Sequence, residues 1–583
     1  HYAVEAWVDA FASWRHDFER RIDPDDLRVA ALAGAALVAA AALRAPASGA
    51  ERALLESWAA ELHAAAAGAD SDAAALALKP IALDAARAAV ALRHPDLGVA
   101  VRSAGYRVAV ERERARCSAW YEFFPRSASA DPARHGSFAD CEAWLPYVAR
   151  MGFDVVYFPP IHPIGTTRRK GRNNALEAGA GDLGSPWAIG AAEGGHDAIL
   201  PALGTAADFR RLVARAADYG IEIALDLAYQ CSPDHPWVHE HPEWFKTRAD
   251  GTIQYAENPP KKYQDVYPFD FETPHWRELW QALLGVIEHW CAEGVRIFRV
   301  DNPHTKAFGF WEWAIARVRS RHPDAIFLSE AFTRPKVMHR LAKLGFSQSY
   351  TYYTWRNTKA ELTAYFEELA HGPGREYFRP NVWPNTPDIL PVALQWGGRP
   401  MFAARVALAA TLSANYGIYG PAYELQEHLP LQEGGEEYLD SEKYQRRVWP
   451  RERDDSLADY IAVLNRARRA NPALQRDEGL VFVPVDNEQL IAYAKLTEDR
   501  SNIVLVVVNL DPHHTQSGWV VLDPGVFGTD TAHGFQMHDL ISGARYLWQG
   551  ARNYVSLDPH RNPAHLLQLR RHLKREHDFD YFL

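Results

Sequence analysis

Two carboxylates close short apolar runs in the middle of this chain: Asp301 follows Ile297-Phe298-Arg299-Val300, and Glu330 follows Ile326-Phe327-Leu328-Ser329. Runs of this kind read as buried parallel strands, and an acid at the carboxyl end of such a strand stands on the face where barrel enzymes do their chemistry. Arg299 lies two residues before Asp301, so period-2 alternation points both side chains the same way and the guanidinium keeps the carboxylate ionised and aimed. A third acid, Asp388 in Asn385-Thr386-Pro387-Asp388-Ile389-Leu390, is expected at a comparable position further along. Two carboxyls about 5 Å apart across a glycosidic bond suffice for a retaining displacement, one as nucleophile and the other as a proton donor with raised pKa. The third can orient sugar hydroxyls. Acids at strand ends also cap helices or pair with arginine; three of them together with Arg299 favour the catalytic reading.

Such positions require a scaffold of alternating strands and helices. Apolar runs at Val155–Pro159, Ile221–Leu227, Ile297–Val300 and Ile326–Leu328 alternate with amphipathic helices, and the helix predicted over Ala206–Tyr219 stops at Gly220, where the chain turns back into the sheet. The repeated βα units predict an α/β fold built on a TIM (β/α)8 barrel over residues 105–475. The stretch from Ala228 to a helix near Trp276, rich in Pro, His and Trp, exceeds an ordinary βα loop and is expected to pass over the barrel mouth. Residues 1–104 are rich in Ala, Leu, Glu and Arg at helical spacing and predict a helical bundle, with Asp23 capping a helix that has Pro24 at its first position and a break at Pro46–Gly49. Tyr106–Val110 alternates as a strand without partner strands upstream, the expected edge of an incomplete N-terminal β domain. Residues 476–583 carry Leu480–Val485, Leu490–Lys495 and Ile503–Leu510 between turn-rich segments and predict a C-terminal β-sandwich.

The 583 residues are 48% hydrophobic and 23% charged, which suits a large globular protein and excludes a disordered, collagenous or disulfide-stapled one. With 63 basic residues against 74 acidic ones the formal net charge is −11, so no overall field attracts nucleic acid or anionic lipid. Any anion site must be local. Cys117, Cys141, Cys231 and Cys291 form no Cys-x-x-Cys pair and are expected as free thiols in a reducing cytoplasm. No signal-peptide pattern opens the sequence, and the longest uncharged apolar run, Val29–Leu43, is shorter than the roughly 20 residues that cross a bilayer. A buried helix in a soluble protein is expected there. No ligand spacing requires a metal, and no motif requires a cofactor.

The segments Gly294–Asp301, Phe327–Glu330 and Pro387-Asp388 resemble regions II, III and IV of the α-amylase superfamily, glycoside hydrolase family 13. The resemblance implies Asp301 as nucleophile, Glu330 as general acid/base and Asp388 as transition-state stabiliser, with Asp226 as the region I aspartate. Two histidines that usually bind the reacting sugar are absent: Gln230-Cys231 stands in place of Asn-His after Asp226, and Pro387 precedes Asp388. Both departures argue against an ordinary starch hydrolase.

Longer strings resemble one branch more closely, the maltose-1-phosphate-dependent α-1,4-glucan maltosyltransferases: Ser118–Ser127, Arg169–Asn174, Gly184–Gly190, Gln230–Trp237, Glu257–Asp265 and Asp301–Lys306. A transferase that uses a sugar phosphate needs donors for a dianion beside its nucleophile, and neutral amides with one or two cations provide them without locking the nucleophile in a salt bridge. Lys170, Gln230, Asn258, Lys261, Tyr263 and Asn302 are groups of that kind, and the resemblance implies that they surround the phosphate. On residue types alone, Lys261 and Lys262 read as a solvated loop pair and Asn258 as a turn residue before Pro259; the resemblance reverses that reading. The family pattern further implies Asn174, Trp187, Lys443 and Tyr444 as sugar contacts, maltose 1-phosphate and an α-1,4-glucan as substrates, and a homodimer.

Overall fold

In this computed structural model the described residues are 1–106, 108–258, 261–528 and 534–570, the side chains of Asn258 and Lys261 excepted. They form two compact units, His1–Val110 and Glu111–Leu583.

The first unit is a helical bundle. Asp23 caps the helix Pro24–Arg44, its carboxylate accepting the Asp26 N–H while Pro24 takes the first turn. This 21-residue helix is longer than the apolar run within it and is long and apolar enough to cross a membrane. Its small-residue face, from Leu27 to Ala42, is buried in the bundle, where Ala side chains let the helix Ala50–Ala67 pack alongside. The strand expected at Tyr106–Val110 reduces to a single bridge between Tyr106 and Tyr2, with Arg107 outside the described residues. The paired residues lie earlier, Val101–Arg102 against Glu5–Ala6, so a partner does exist upstream. Tyr2 stacks on Tyr106 at 5.1 Å, a contact between distant positions that local alternation does not encode.

The second unit is built on a closed barrel of eight parallel strands. These are β1 (Ser118–Glu122), β2 (Val155–Phe158), β3 (Glu222–Leu227), β4 (Ile297–Asp301), β5 (Ile326–Glu330), β6 (Gln348–Tyr350), β7 (Pro380–Val382) and β8 (Asn415–Tyr419). Alternate residues fill the two sides of each strand. Trp120, Val155, Ala224, Ile297 and Leu328 pack inside the barrel, whereas Tyr121, Val156, Leu225, Phe298 and Phe327 pack against the surrounding helices. Burial on both faces is why these strands read as unbroken apolar runs. The helix Ala206–Asp218 starts from a Thr205/Asp208 capping box, and the chain leaves it through Gly220 in the left-handed region, φ +71°.

Two long connections leave the carboxyl ends of β2 and β3. The first carries Lys170, Asn174 and Trp187. The second is the expected excursion; it contains the ribbon Gln230–Cys231 with Tyr267–Pro268 and the hairpin Ala256–Asn258 with Lys261–Tyr263, and it ends at the helix Trp276–Ala292.

Downstream, β9 (Leu480–Phe482), β10 (Leu490–Leu496), β11 (Ile503–Asn509), β13 (Phe535–Asp539), β14 (Arg545–Trp548) and β16 (Ala564–Arg570) form a six-stranded sheet. Strands β12 (Gln516–Val521) and β15 (Arg552–Leu557) form a separate ribbon. Ile503, Leu505 and Val507 of β11 share a core with Val520, Val555 and Leu557 of the ribbon, giving the expected sandwich. The other face of β11, Val504, Val506 and Val508, joins the main core with Leu408 and Leu412 from the helix Gly398–Leu412.

Candidate active site

Register places the chemistry. Parallel pairing sets Asp301 beside Glu330 and Arg299 beside Asp226, all at the carboxyl end of the barrel. One terminal nitrogen of Arg299 donates to Asp301 Oδ1 at 2.8 Å and to Asp226 Oδ2 at 3.0 Å, and the other lies 3.8 Å from Glu330 Oε2. Tyr157 and Tyr350 flank the guanidinium, each ring centroid 5.8 Å away. Asp226 also accepts the Tyr157 hydroxyl at 2.5 Å and the Trp187 indole N–H at 3.3 Å, while its buried Oδ1 has no hydrogen-bond partner among the described residues.

Three carboxylates, those of Asp226 and Asp301 buried and that of Glu330 nearly so, face one guanidinium, so negative charge is in surplus. Burial raises the pKa of Glu330 above the ordinary range; Arg299 opposes that, and the charge of Asp301 adds to it. Asp226 is raised by burial in the same way. Glu330 is thereby suited to donate a proton, and Asp301, held by Arg299, to attack.

The turn after β4 is shaped around both acids. Asn302 sits in the left-handed region at φ 43°, which an Asn tolerates better than most residues. Its backbone N–H donates to Glu330 Oε2 at 3.2 Å, and its Nδ2 lies 3.5 Å from Asp301 Oδ2. Buried Lys306 donates to the carbonyls of Asp301 and Asn302 at 3.4 and 3.2 Å and fixes this turn. Gln230 brings its Nε2 within 3.5 Å of the same Asp301 oxygen. Two amides thus converge on the Asp301 oxygen that Arg299 leaves free.

The other expected anion ligands stand on the two long connections. Lys170 is buried and, with Lys443, stabilises the charge of Asp265, a buried carboxylate whose Oδ1 has no partner among the described residues and whose pKa burial nevertheless raises. Tyr263 is exposed at the end of the hairpin. The side chains of Asn258 and Lys261 lie outside the described residues; their backbones face each other across that hairpin.

Asp388 departs from expectation. It is six residues beyond β7, in a tight turn where Thr386 bridges Ile389, with a side chain 54% exposed. Asn385 explains the detour: its side chain bonds the Tyr419 backbone and the Tyr438 hydroxyl, ending the strand direction before the acid is reached. Asp388 ion-pairs with Lys443, whose Nζ lies 5.0 Å from the Trp187 ring centroid and 6.0 Å from that of Tyr444. Burial works against the charge on Lys443, yet Asp388 holds its pKa above the usual lysine range. Trp187, Lys443 and Tyr444 therefore gather beside Asp226 and Asp388. Asn174 sits in a left-handed turn, φ 61°, and makes no hydrogen bond to this cluster among the described residues.

Three features escape a reading of residue types. Tyr157 and Glu122 stand in inward columns of β2 and β1, a signal that period-2 alternation from Val155 and Trp120 carries. Glu122 is buried, and burial pushes its pKa well above the carboxylate range despite the nearby Arg299. The third is a histidine relay. His196 Nε2 donates to the Ala228 carbonyl at 2.9 Å, which leaves its Nδ1 to accept from His235 Nε2 at 3.1 Å; His235 Nδ1 accepts the Trp237 N–H at 3.1 Å. Gly190 and Gly195 make room for the His235 ring, since a Cβ on either would lie 2.4 or 2.2 Å from it. The Ala228 carbonyl also accepts the Gln230 N–H at 2.9 Å, so the relay anchors the backbone that carries Gln230. Among the described residues no group of three or more His, Cys, Asp or Glu side chains is placed to hold a metal ion.

Among solved structures, an α-amylase from Lactobacillus plantarum superposes with a TM-score of 0.60 at 20% identity, over 78% of this chain and 100% of that one. The maltogenic α-amylase AmyB from Thermotoga neapolitana gives 0.61 at 19%, over 79% and 99%. Those likenesses establish the barrel fold. A family model described as alpha-1,4-glucan:maltose-1-phosphate maltosyltransferase, domain N/S, matches residues 1–112, and one described as GLGE, C-terminal, matches residues 482–569. The alpha-1,4-glucan:maltose-1-phosphate maltosyltransferase of Chlorobaculum tepidum is 50% identical over 580 residues, covering 97% of this chain and 84% of the relative. That of Myxococcus xanthus is 49% identical over 585 residues, covering 100% and 86%. With half its residues shared along nearly the full length of this chain and more than four-fifths of each relative, the chain belongs to the α-1,4-glucan:maltose-1-phosphate maltosyltransferase family.

Proposed function

We propose that the protein transfers maltosyl units from α-maltose 1-phosphate to the non-reducing end of α-1,4-glucans, releasing phosphate and retaining the α configuration, in the synthesis of glycogen or a related α-glucan. The observation that carries this reading is the pairing of Asp301 with Glu330 across β4 and β5, with Arg299 on the first acid and the amides of Gln230 and Asn302 beside it.

Asp301 attacks the anomeric carbon, the C–O bond to phosphate breaks with its electron pair leaving on phosphate, and a β-maltosyl ester forms on Asp301. Glu330 donates its proton to the departing group, although phosphate departs readily without full protonation. Once phosphate has left, ionised Glu330 removes the proton of the acceptor 4-hydroxyl, whose oxygen displaces Asp301 and regenerates the carboxylate. Gln230, Asn302, Lys170, Lys261, Asn258 and Tyr263 hold the phosphate; Trp187, Asn174, Lys443 and Tyr444 hold the sugars; Asp388 stabilises the positive charge that develops at the anomeric carbon.

Incubation with maltose 1-phosphate and a maltooligosaccharide tests the reading: products two glucose units longer, with one phosphate for each transfer, support it, and glucose-by-glucose extension or hydrolysis without transfer contradicts it. We further place the protein in the cytoplasm as a homodimer. The four unpaired cysteines support a reducing compartment. Sedimentation at working concentration tests the dimer, and a single monomeric species rejects it.

A further inference from the structure

The ribbon of β12 and β15 alternates strictly between a buried and an open face. Gly518, Val520, Val555 and Leu557 face the sandwich core, and Trp519 and Tyr554 face outward, 42% and 55% exposed. The two aromatic residues are direct cross-strand partners, with ring centroids 5.5 Å apart and 63° between the ring planes. Their support is rigid: the Trp519 N–H donates to Asp486 Oδ1 at 2.6 Å, and Val485 bridges Val520. Polar groups surround the rings. The Arg552 guanidinium lies 5.3 Å from the Trp519 ring centroid and 3.8 Å from the Asp486 carboxylate, and Ser517 and Ser556 form the next outward pair along the ribbon.

We propose that this ribbon is a second α-glucan-binding surface, on which Trp519 and Tyr554 carry neighbouring sugar units of the polymeric acceptor away from the barrel. The inference rests on the transferase reading for the identity of the polymer. A pyranose offers an apolar C–H face to an aromatic ring and hydroxyls to the groups around it, and this patch supplies both. The inclined rings suit an α-1,4 chain, whose successive sugars turn relative to one another, whereas a flat β-linked chain needs coplanar platforms. Arg552 and Asp486 offset each other in charge, so the surface favours a neutral polymer over an anionic lipid or nucleic acid. The exposed apolar groups of this face are Trp519, Tyr554 and the neighbouring Val521, a patch small for a stable protein partner. A second contact on the same chain raises the local concentration of its ends at the barrel mouth without adding a contact to the reacting sugar.

The experiment compares the full chain with Trp519→Ala/Tyr554→Ala for retention in gels containing glycogen, and for transfer from maltose 1-phosphate to glycogen and to maltohexaose. The double variant is expected to lose retention and to raise the KM for glycogen about three- to tenfold, the scale of losing an aromatic contact. Its kcat/KM for maltohexaose, which one site accommodates, stays unchanged. Tyr554→Ala alone should show a smaller loss and Tyr554→Phe almost none, which keeps the test open if the double variant fails to fold. Wild-type retention by a folded double variant, or KM values for both acceptors that rise together, overturns the proposal. Absence of transfer by the wild type to maltohexaose would instead reject the transferase reading, and retention on glycogen would still decide the ribbon.

Discussion

Asp301 and Glu330 are register partners on adjacent parallel strands, and Arg299 reaches both, 2.8 Å from one carboxylate and 3.8 Å from the other. Neighbouring strands lie about 4.8 Å apart, close to the roughly 5 Å carboxyl separation of retaining glycosidases. The sheet itself therefore sets the spacing that a double displacement requires. No loop closure is needed to bring the two carboxylates together.

Arg299 also ties Asp226 to this pair, in a buried site. Arg299→Lys replaces a planar fork with a point charge that cannot serve all three acids at once. Phosphate release from maltose 1-phosphate should fall at least about a hundredfold, equivalent to about 3 kcal/mol of lost charge pairing. A variant within about threefold of wild type would mean that the guanidinium has no part in holding the nucleophile.

The proton on Glu330 sets a pH dependence. Burial raises its pKa, and the charges of Asp301 and Asp388 raise it further, so the acid form persists above the ordinary glutamate range. With a maltosyl donor whose leaving group is an alcohol, kcat/KM should decline as pH rises through that shifted value. Asp388→Asn removes a negative charge and should move the decline to lower pH in the residual activity. A shift to higher pH would contradict the assignment of the proton to Glu330.

Asn302→Ala and Lys261→Ala address the leaving group. Both should weaken transfer from maltose 1-phosphate by about tenfold or more, the size of one charge-assisted hydrogen bond. Transfer from an activated maltosyl donor with a neutral leaving group should change far less. Equal losses with the two donors would place these side chains outside the phosphate site.

The histidine relay has a consequence for stability. Burial depresses the relay's His196 to about 4 and His235 to about 2, and it depresses His162, whose ring centroid lies 5.9 Å from that of His196, to about 3, all below the unfolded value near 6.5. The facing charged group is Asp197, which raises His196, while His196 and His162 lower their neighbours and His289 lowers His162. Below pH 6.5 the unfolded chain takes up protons that the fold refuses, so stability is complete above that pH and declines as pH falls. Each imidazole should contribute a loss of about 2 kcal/mol by pH 5. Urea unfolding at pH 7 and pH 5 measures this: the wild type should lose more than His196→Asn over that interval, and an equal loss in both would exclude His196 as a source.

Much of this architecture was legible in the sequence, and for a physical reason. Strands β2 to β5 are buried on both faces, so their apolar runs stand out, and the acids that end two of them mark the open end of the barrel. Asp388 was harder to place, because its turn is set by Asn385 bonding to Tyr419 and Tyr438, residues distant in the chain. Lys443 meets Asp388 only through tertiary folding. Tyr157 and Glu122 were hidden because an inward polar residue in an aromatic-rich strand has the same local signature as core. The N-terminal ribbon escapes a local reading for a related reason: alternation at Tyr106–Val110 does not name a partner, and the structure gives Tyr106 a single bridge, to Tyr2 at the other end of the unit, with the paired strands just inside it at Glu5–Ala6 and Val101–Arg102.

The central claim is that Asp301 forms the covalent bond to maltose, and Glu330→Gln offers the most direct test. Phosphate leaves without much help from an acid, whereas the acceptor hydroxyl needs a base, so this variant should complete the first step and stall before the second. Mixed with maltose 1-phosphate, it should release a burst of about one phosphate per active site and accumulate a maltosyl adduct that peptide mass spectrometry assigns to Asp301. An adduct on another residue, or steady turnover without any adduct, would contradict the account.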